Sequence, residues 1–358
     1  MPRTVLLNPG PVNVTDKVRQ ALMLPDLCHR EKEFSDLMAA IRAKLLKAFD
    51  IEEHYTSVLV SGSGTAALEM AVSSSLSPER SMLVIENGVY GERIGKLCDI
   101  YQFKRHTLKL GWGELPNLEK IENILKQNPD IEVVSLVHHE TTTGLLNPLK
   151  EVGELARRYK KIFLVDAISS LAGDEVDFES CPIDIVVGTA NKCLQGFPGV
   201  SFVLFKKNEL DRLRNIPQRT LYFNMVGYYK AQEAGGLLFT PAIPAHYALD
   251  VALDELIEET VAGRVQRYAK AAQFLRRGFH DMSLEFLIPE GWRSNCLTSL
   301  RLPKGMDYDR LHSALKENGF VIYAGQGNLS DTIFRVANMG DITDEEFKRF
   351  LKVLKTLC

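Results

Sequence analysis

The chain has 358 residues, 43 Lys and Arg against 46 Asp and Glu, and a formal net charge of −3, a balance that gives no reason to expect nucleic acid or an anionic membrane as partner. Its 45% apolar content is ample for a packed core, yet no apolar run approaches the roughly 18 residues of a membrane span, and the N-terminal apolar stretch is too short for a signal peptide. The six cysteines form no CxxC pair, which disfavours a disulfide framework or a zinc ribbon and fits a reducing cytoplasm.

The elements alternate between strand and helix. YTSVLV (55–60) reads as a strand and TAALEMAVSSSL (65–76) as a small-residue helix. A second strand, SMLVIE (81–86), is followed by a helix over 91–101. QFKRHTLKL (102–110) comes next, then a helix around 117–127, the strand IEVVSLV (131–137) and a helix over 148–159. The runs KIFLVDA (161–167), IDIVVG (183–188) and VSFVLF (200–205) are short, apolar and rich in β-branched residues. Such runs suit strands buried on both faces of a mostly parallel sheet covered by helices. After TPAIPA the spacing predicts one long helical stretch over 246–281. It is followed by a strand (296–302), a helix (307–318), the strands FVIYA and TIFRVAN, and a last helix opened by the capping box Thr343 to Glu346. The expected architecture is α/β: a large domain over 16–245, a smaller α+β domain over 246–358, and residues 1–15 packing with the smaller one.

Three sites carry chemistry. Ser61-Gly62-Ser63-Gly64-Thr65-Ala66-Ala67 lies between a strand and a helix, where glycines allow close approach and the helix start offers free N–H groups to an anion such as phosphate. A plain tight turn is the bland reading. A nicotinamide site is the rival, since Gly62-x-Gly64-x-x-Ala67 fits the dinucleotide fingerprint and Glu86 ends the next strand 24 residues after Gly62. Asp166 ends a buried strand and so faces the crevice where open α/β sheets bind ligands; it is otherwise a helix cap. Lys192 follows another buried strand, 26 residues after Asp166, where desolvation lowers an amine's pKa as a Schiff-base lysine requires; it is otherwise a solvated loop residue.

Together, a phosphate cradle, a strand-end carboxylate and a strand-end lysine meet the needs of pyridoxal 5′-phosphate. The carboxylate keeps the pyridine nitrogen protonated, and the lysine holds the aldehyde and moves the proton. A nicotinamide enzyme needs neither residue, and a silent binding protein on the same fold has no use for them.

The motifs LLNPGPV (6–12), SGSGTAALE (61–69), ENGVYGER (86–93), HHETTTGLLNP (138–148), VDAISSLAG (165–173), GTANKCLQGFPG (188–199) and IFRVANMGD (333–341) follow one another in a recognisable order. The chain resembles the class V aminotransferases of the type I pyridoxal-phosphate fold over nearly its whole length. It is most similar to the 2-aminoethylphosphonate–pyruvate subgroup, with the alanine–glyoxylate and serine–pyruvate aminotransferases more distant. The resemblance implies that Ser63, Gly64 and Thr65 hold the cofactor phosphate and that Tyr90 lies over the pyridine ring. It implies that Thr142, with Thr141 or Thr143 nearby, approaches the cofactor or substrate. Asp166 should pair with the pyridine nitrogen, Lys192 should carry the cofactor, and Arg335 should grip a carboxylate through two prongs. Thr240 should reach the phosphate of a partner subunit's cofactor, making a homodimer with shared sites.

The sequence departs from that subgroup in two places. Leu238 stands where a basic residue is usual, and LPDLCHREKEF (24–34) replaces a more aromatic and acidic stretch, so that His29 and Arg30 read either as cations for a phosphonate or as surface residues. The expected reaction moves the amino group of 2-aminoethylphosphonate to pyruvate, giving phosphonoacetaldehyde and alanine. Alanine–glyoxylate or serine–pyruvate transamination is the alternative. A cysteine desulfurase needs a cysteine on a mobile loop, and AGQGNLSD (324–331) has none.

Overall fold

The apolar runs assemble into one sheet. A computed structural model describes residues 3–358 of the chain. Its seven-stranded sheet runs, edge to edge, Tyr55–Gly62, Gly199–Lys206, Ile185–Thr189, Ile162–Asp166, Ile131–Val137, Ser81–Glu86 and Lys104–Lys109. Gly199–Lys206 is antiparallel to both its neighbours, whereas the other pairings are parallel. Burial on both faces produces the same apolar run in either direction, so composition carries no orientation signal there.

The period of two along the strands divides the core. Leu59, Leu83, Leu136, Phe163, Val186 and Phe202 face one side, while Val58, Val84, Val133, Leu164, Val187 and Val203 face the other. The first side is covered by the helices Lys32–Ala48, Leu118–Gln127, Leu149–Arg158 and Ile243–Glu259; the second by Gly64–Ser75, Val89–Ile100 and Met225–Glu233. Each fully buried Leu or Phe contributes about 1.5–3 kcal/mol through the water-free area it creates.

The stretch read as one helix over 246–281 is two, Ile243–Glu259 and Val261–Asp281. The first starts before residue 245 because Pro244 is harmless in an opening turn, where its missing N–H has no intrahelical acceptor. The break is at Thr260, which has φ 64° and whose hydroxyl accepts the Gly263 N–H at 3.0 Å. Residue 245 therefore falls inside a helix packed on the large core, through Leu249, Leu253 and Leu256. Apolar packing changes hands further on, within the second helix: Tyr268 belongs to the large core, and Leu275 and Phe279 to a smaller one with Phe320, Phe334 and Phe350. That smaller core is covered by a three-stranded sheet, Leu297–Arg301, Ile333–Ala337 and Tyr323–Ala324, and by the helices Tyr308–Glu317 and Asp344–Leu357. Val5–Leu6 pairs in parallel with Phe320–Val321 and adds Val5 and Leu7 to it. The last helix has the capping box between Thr343 and Glu346.

This topology brings the chemistry to one edge of the large sheet. Gly62, Glu86, Val137, Asp166 and Thr189 end strands that run the same way, and Gly199 pairs with Gly62 beside them. No helix among the described residues is long and apolar enough to cross a membrane.

Candidate active site

The cradle comes first. Ser63 is the N-cap of Gly64–Ser75 in an extended conformation, and its exposed hydroxyl makes no capping bond. The first turn therefore keeps polar groups free for an anion. Gly64 is a packing requirement, since a Cβ there would lie 2.9 Å from Ile168 Cδ1. The Thr65 hydroxyl accepts a hydrogen bond from Arg93 Nη1 at 3.0 Å, and the Arg93 guanidinium lies 4.6 Å from the centroid of the Tyr90 ring. Arg93 adds a positive charge to the cradle. Arg93 belongs to the ENGVYGER motif, and its three-residue spacing from Tyr90 on a helix start is the signal the sequence carries for it.

Asp166 is 3% exposed. Its Oδ1 accepts the Ile168 N–H at 3.0 Å, whereas Oδ2 is buried with no hydrogen-bond partner among the described residues. Burial raises its pKa to about 6, against which the Ile168 N–H, Arg93 and Lys192 pull down. A buried carboxylate oxygen without a donor is costly, and a protonated ring nitrogen is the kind of group that relieves it.

Lys192 lies in the loop after Ile185–Thr189. Burial lowers its pKa to about 8, helped by Arg335 and Arg93 and opposed by Cys193 and Asp166. Its Nζ donates to the Pro9 carbonyl, so the N-terminal segment lies across it.

The threonine cluster is divided. The Thr142 hydroxyl donates to Glu140 Oε1 at 2.6 Å and accepts the Val89 N–H at 3.0 Å, so it is committed to the scaffold. The hydroxyl without a partner belongs to Thr141, which is buried. Glu140, missed in the sequence, is fully buried and accepts the Gly91 N–H at 3.1 Å at the start of Val89–Ile100, where a carboxylate meets the positive end of the helix. Burial pushes its pKa up; the Thr142 and backbone donors oppose the shift.

Arg335 is 3% exposed on the central strand of the small sheet. Its Nε donates to the Ala324 carbonyl and its Nη1 to the Thr141 carbonyl, each at 2.8 Å, with Gln326 Oε1 at 3.5 Å from Nη1. Nη2 makes no hydrogen bond among the described residues, so the Nη1–Nη2 end is the prong left for a ligand. The Thr141 contact ties the small sheet to the threonine cluster. His138 and His139 are held neutral, burial pushing both down to about 3. His139 Nδ1 is 3.1 Å from the Ser169 carbonyl, which makes that nitrogen the donor.

Thr240 is not gathered with these residues. It is exposed, and it lines a separate cavity of about 530 Å³ with His29, Arg30 and the segment Gly235–Phe239. A free cradle, a buried carboxylate with one oxygen lacking a donor and a desolvated amine, beside a buried guanidinium, suit a phosphorylated, ring-nitrogen-bearing carbonyl compound and an acidic substrate.

The Aminotransferase class-V family model matches residues 18–339. A 2-aminoethylphosphonate–pyruvate transaminase of Phocaeicola vulgatus is 34% identical over 360 aligned residues, 99% of each chain. A bifunctional phosphonoacetaldehyde hydrolase/aminoethylphosphonate transaminase of Clostridioides difficile is 36% identical over 98% of this chain and 56% of its own length. Among solved structures, an alanine–glyoxylate aminotransferase from Nostoc sp. superimposes with a TM-score of 0.94 at 28% identity, covering 100% of this chain and 96% of its own. The chain belongs to the class-V aminotransferases.

Proposed function

We propose that the protein is a pyridoxal-phosphate transaminase that moves the amino group of 2-aminoethylphosphonate to pyruvate, working as a homodimer. The observation that carries the cofactor is the unpartnered Asp166 Oδ2 beside the desolvated Lys192. The full-length similarity to phosphonate transaminases supports the donor. Bound there, the cofactor supplies an electron sink for the carbon that loses its proton.

The residues divide the work. Ser63, Gly64, Thr65 and Arg93 hold the phosphate. Tyr90 would cover the ring, and Asp166 would keep its nitrogen protonated. Lys192, with a pKa near 8, would anchor the cofactor and, as a free amine, would carry the proton from the substrate carbon to the cofactor carbon that receives the amino group. Arg335 binds the carboxylate of pyruvate through Nη1 and Nη2, displacing the long Gln326 contact. The unpartnered Thr141 hydroxyl, rather than that of Thr142, is left to bond a ligand. Thr240, exposed in the single chain, serves the phosphate site of the partner.

The likeness to the Nostoc enzyme gives alanine–glyoxylate transamination as the second reading. A donor screen of the purified enzyme decides between them. Fast turnover of 2-aminoethylphosphonate with pyruvate and slow turnover of alanine with glyoxylate is expected. A tenfold preference for alanine or serine as donor overturns the phosphonate reading and leaves the transaminase intact.

A further inference from the structure

The phosphonate of 2-aminoethylphosphonate is a tetrahedral dianion, and a single guanidinium satisfies it poorly. The chain's own cluster has little charge to spare. Lys192 is reserved for the proton, Arg93 is engaged with Thr65 and Tyr90, and Arg335 has Nε and Nη1 on the Ala324 and Thr141 carbonyls.

Another cation is available in the cavity lined by Thr240. Arg30 is exposed there and makes no ion pair or side-chain hydrogen bond among the described residues, although Glu31 and Glu33 follow it in sequence. No carboxylate lines this cavity, and His29 beside Arg30 supplies a second nitrogen donor. The wall is held together as one body. The Tyr247 hydroxyl donates to the Pro25 carbonyl at 3.1 Å, and Phe34 meets His246 edge-on at 5.3 Å, so the 25–34 segment is fixed to the helix that follows Thr240. The Ala242 N–H in turn donates to the Ser61 hydroxyl at 2.9 Å, on the cradle strand. Leu238, which lines the cavity, and Met23 and Leu24, which precede the 25–34 segment, expose 41%, 87% and 47% of their surface, apolar area suited to cover by a second copy of this chain.

We infer that Arg30, assisted by His29, is the specificity-determining cation that clamps the donor's phosphonate in the active site of the partner subunit. Whichever site receives Thr240 also receives Arg30, because the two share one wall. The inference rests on the proposed donor and dimer, and it separates the two acids by place: Arg335 of the site's own chain takes the planar carboxylate, and Arg30 from across the dimer takes the tetrahedral one.

Subunit mixing tests it. Arg30→Ala should raise the KM for 2-aminoethylphosphonate about tenfold or more, as loss of a charged hydrogen bond does, and change the KM for pyruvate less than about twofold. Calorimetry with ethylphosphonate, an amine-free mimic, should show the same loss of affinity, with Arg30→Lys intermediate. In hybrids of differently tagged Arg30→Ala and Lys192→Ala subunits, the working lysine lies in the chain that lacks Arg30, and its partner carries Arg30. Such hybrids should recover the wild-type KM for the donor. A hybrid that keeps the raised KM overturns the cross-subunit placement. An unchanged donor KM in Arg30→Ala overturns the inference while leaving the donor secure. A wild-type enzyme that neither turns over 2-aminoethylphosphonate nor binds ethylphosphonate overturns the broader reading instead.

Discussion

Gly10 lies against the side chain of Lys192: a Cβ at Gly10 would stand 2.6 Å from Lys192 Cδ and 2.8 Å from Cε. The same glycine has φ 102°, in the region that side chains disfavour. The NPGPV motif is thus a cover shaped around the lysine stem. Gly10→Ala should displace either the segment or the lysine, lowering kcat by about tenfold or more, because small misplacements of a reacting group are costly. The thermal transition should fall only modestly. Full kcat with an unchanged lysine pKa would show that the contact is indifferent to catalysis.

The Lys192 pKa near 8 has a stability signature of its own. Between about pH 8 and the ordinary lysine value of 10.5, the unfolded chain binds more protons than the folded one, so stability rises with pH in that window. Below it the full cost of burying the charge is present. The cofactor-free Lys192→Met variant should therefore melt a few degrees above the cofactor-free wild type at pH 7, with the gap closing between pH 8 and 10.5. The loaded Lys192→Ala variant should be inactive, and borohydride should no longer fix cofactor to the chain. A pH-independent gap would show that the lysine is solvated.

What the sequence discloses follows from range. The positions of Asp166 and Lys192 are legible because burial of a strand is a local pattern: Asp166 ends one such strand, and Lys192 lies in the loop just after another. The cradle is legible because Gly62 and Gly64 mark a strand-to-helix turn. Arg93 and Glu140 are not, since each acts through a partner distant in the chain: Arg93 through Thr65, and Glu140 through Gly91. Thr141 and Thr142 are adjacent and chemically alike; the Glu140 carboxylate and the Val89 N–H, both on Thr142, decide which hydroxyl is free. The break at Thr260 escaped because no Gly or Pro stands at it, and the positive φ falls on a β-branched residue.

Asp166 has the opposite titration and a complementary test. Burial raises its pKa to about 6, so the folded protein binds the extra proton between the ordinary value of 3.8 and 6, and the carboxylate costs stability above that window. Asp166→Asn should leave the cofactor-free protein as stable as wild type or more so at pH 7.5, with the difference vanishing as pH falls from 6 toward 3.8. Turnover should drop on the order of 10³-fold, the scale of losing one well-placed electrostatic stabiliser. Near-normal turnover of the Asn variant would remove Asp166 from the mechanism.

In the proposed mechanism, Arg335 separates the two half-reactions. Its guanidinium is fixed by the Ala324 and Thr141 carbonyls, which aim the Nη1–Nη2 end. Lysine at this position keeps a charge and loses both the aim and the fork. Pyruvate, whose planar carboxylate matches the fork, should lose most, with KM rising about tenfold or more, the scale of a lost charged hydrogen bond. 2-Aminoethylphosphonate has no carboxylate, and with Arg30 sharing its dianion it should lose less. An alanine–glyoxylate enzyme would behave differently, because each of its substrates presents a carboxylate to the same fork and both KM values should rise together. Steady-state kinetics of Arg335→Lys, with each substrate varied in turn, reads the difference directly. Equal rises for donor and acceptor would place both acids on Arg335 and remove the need for a second cation.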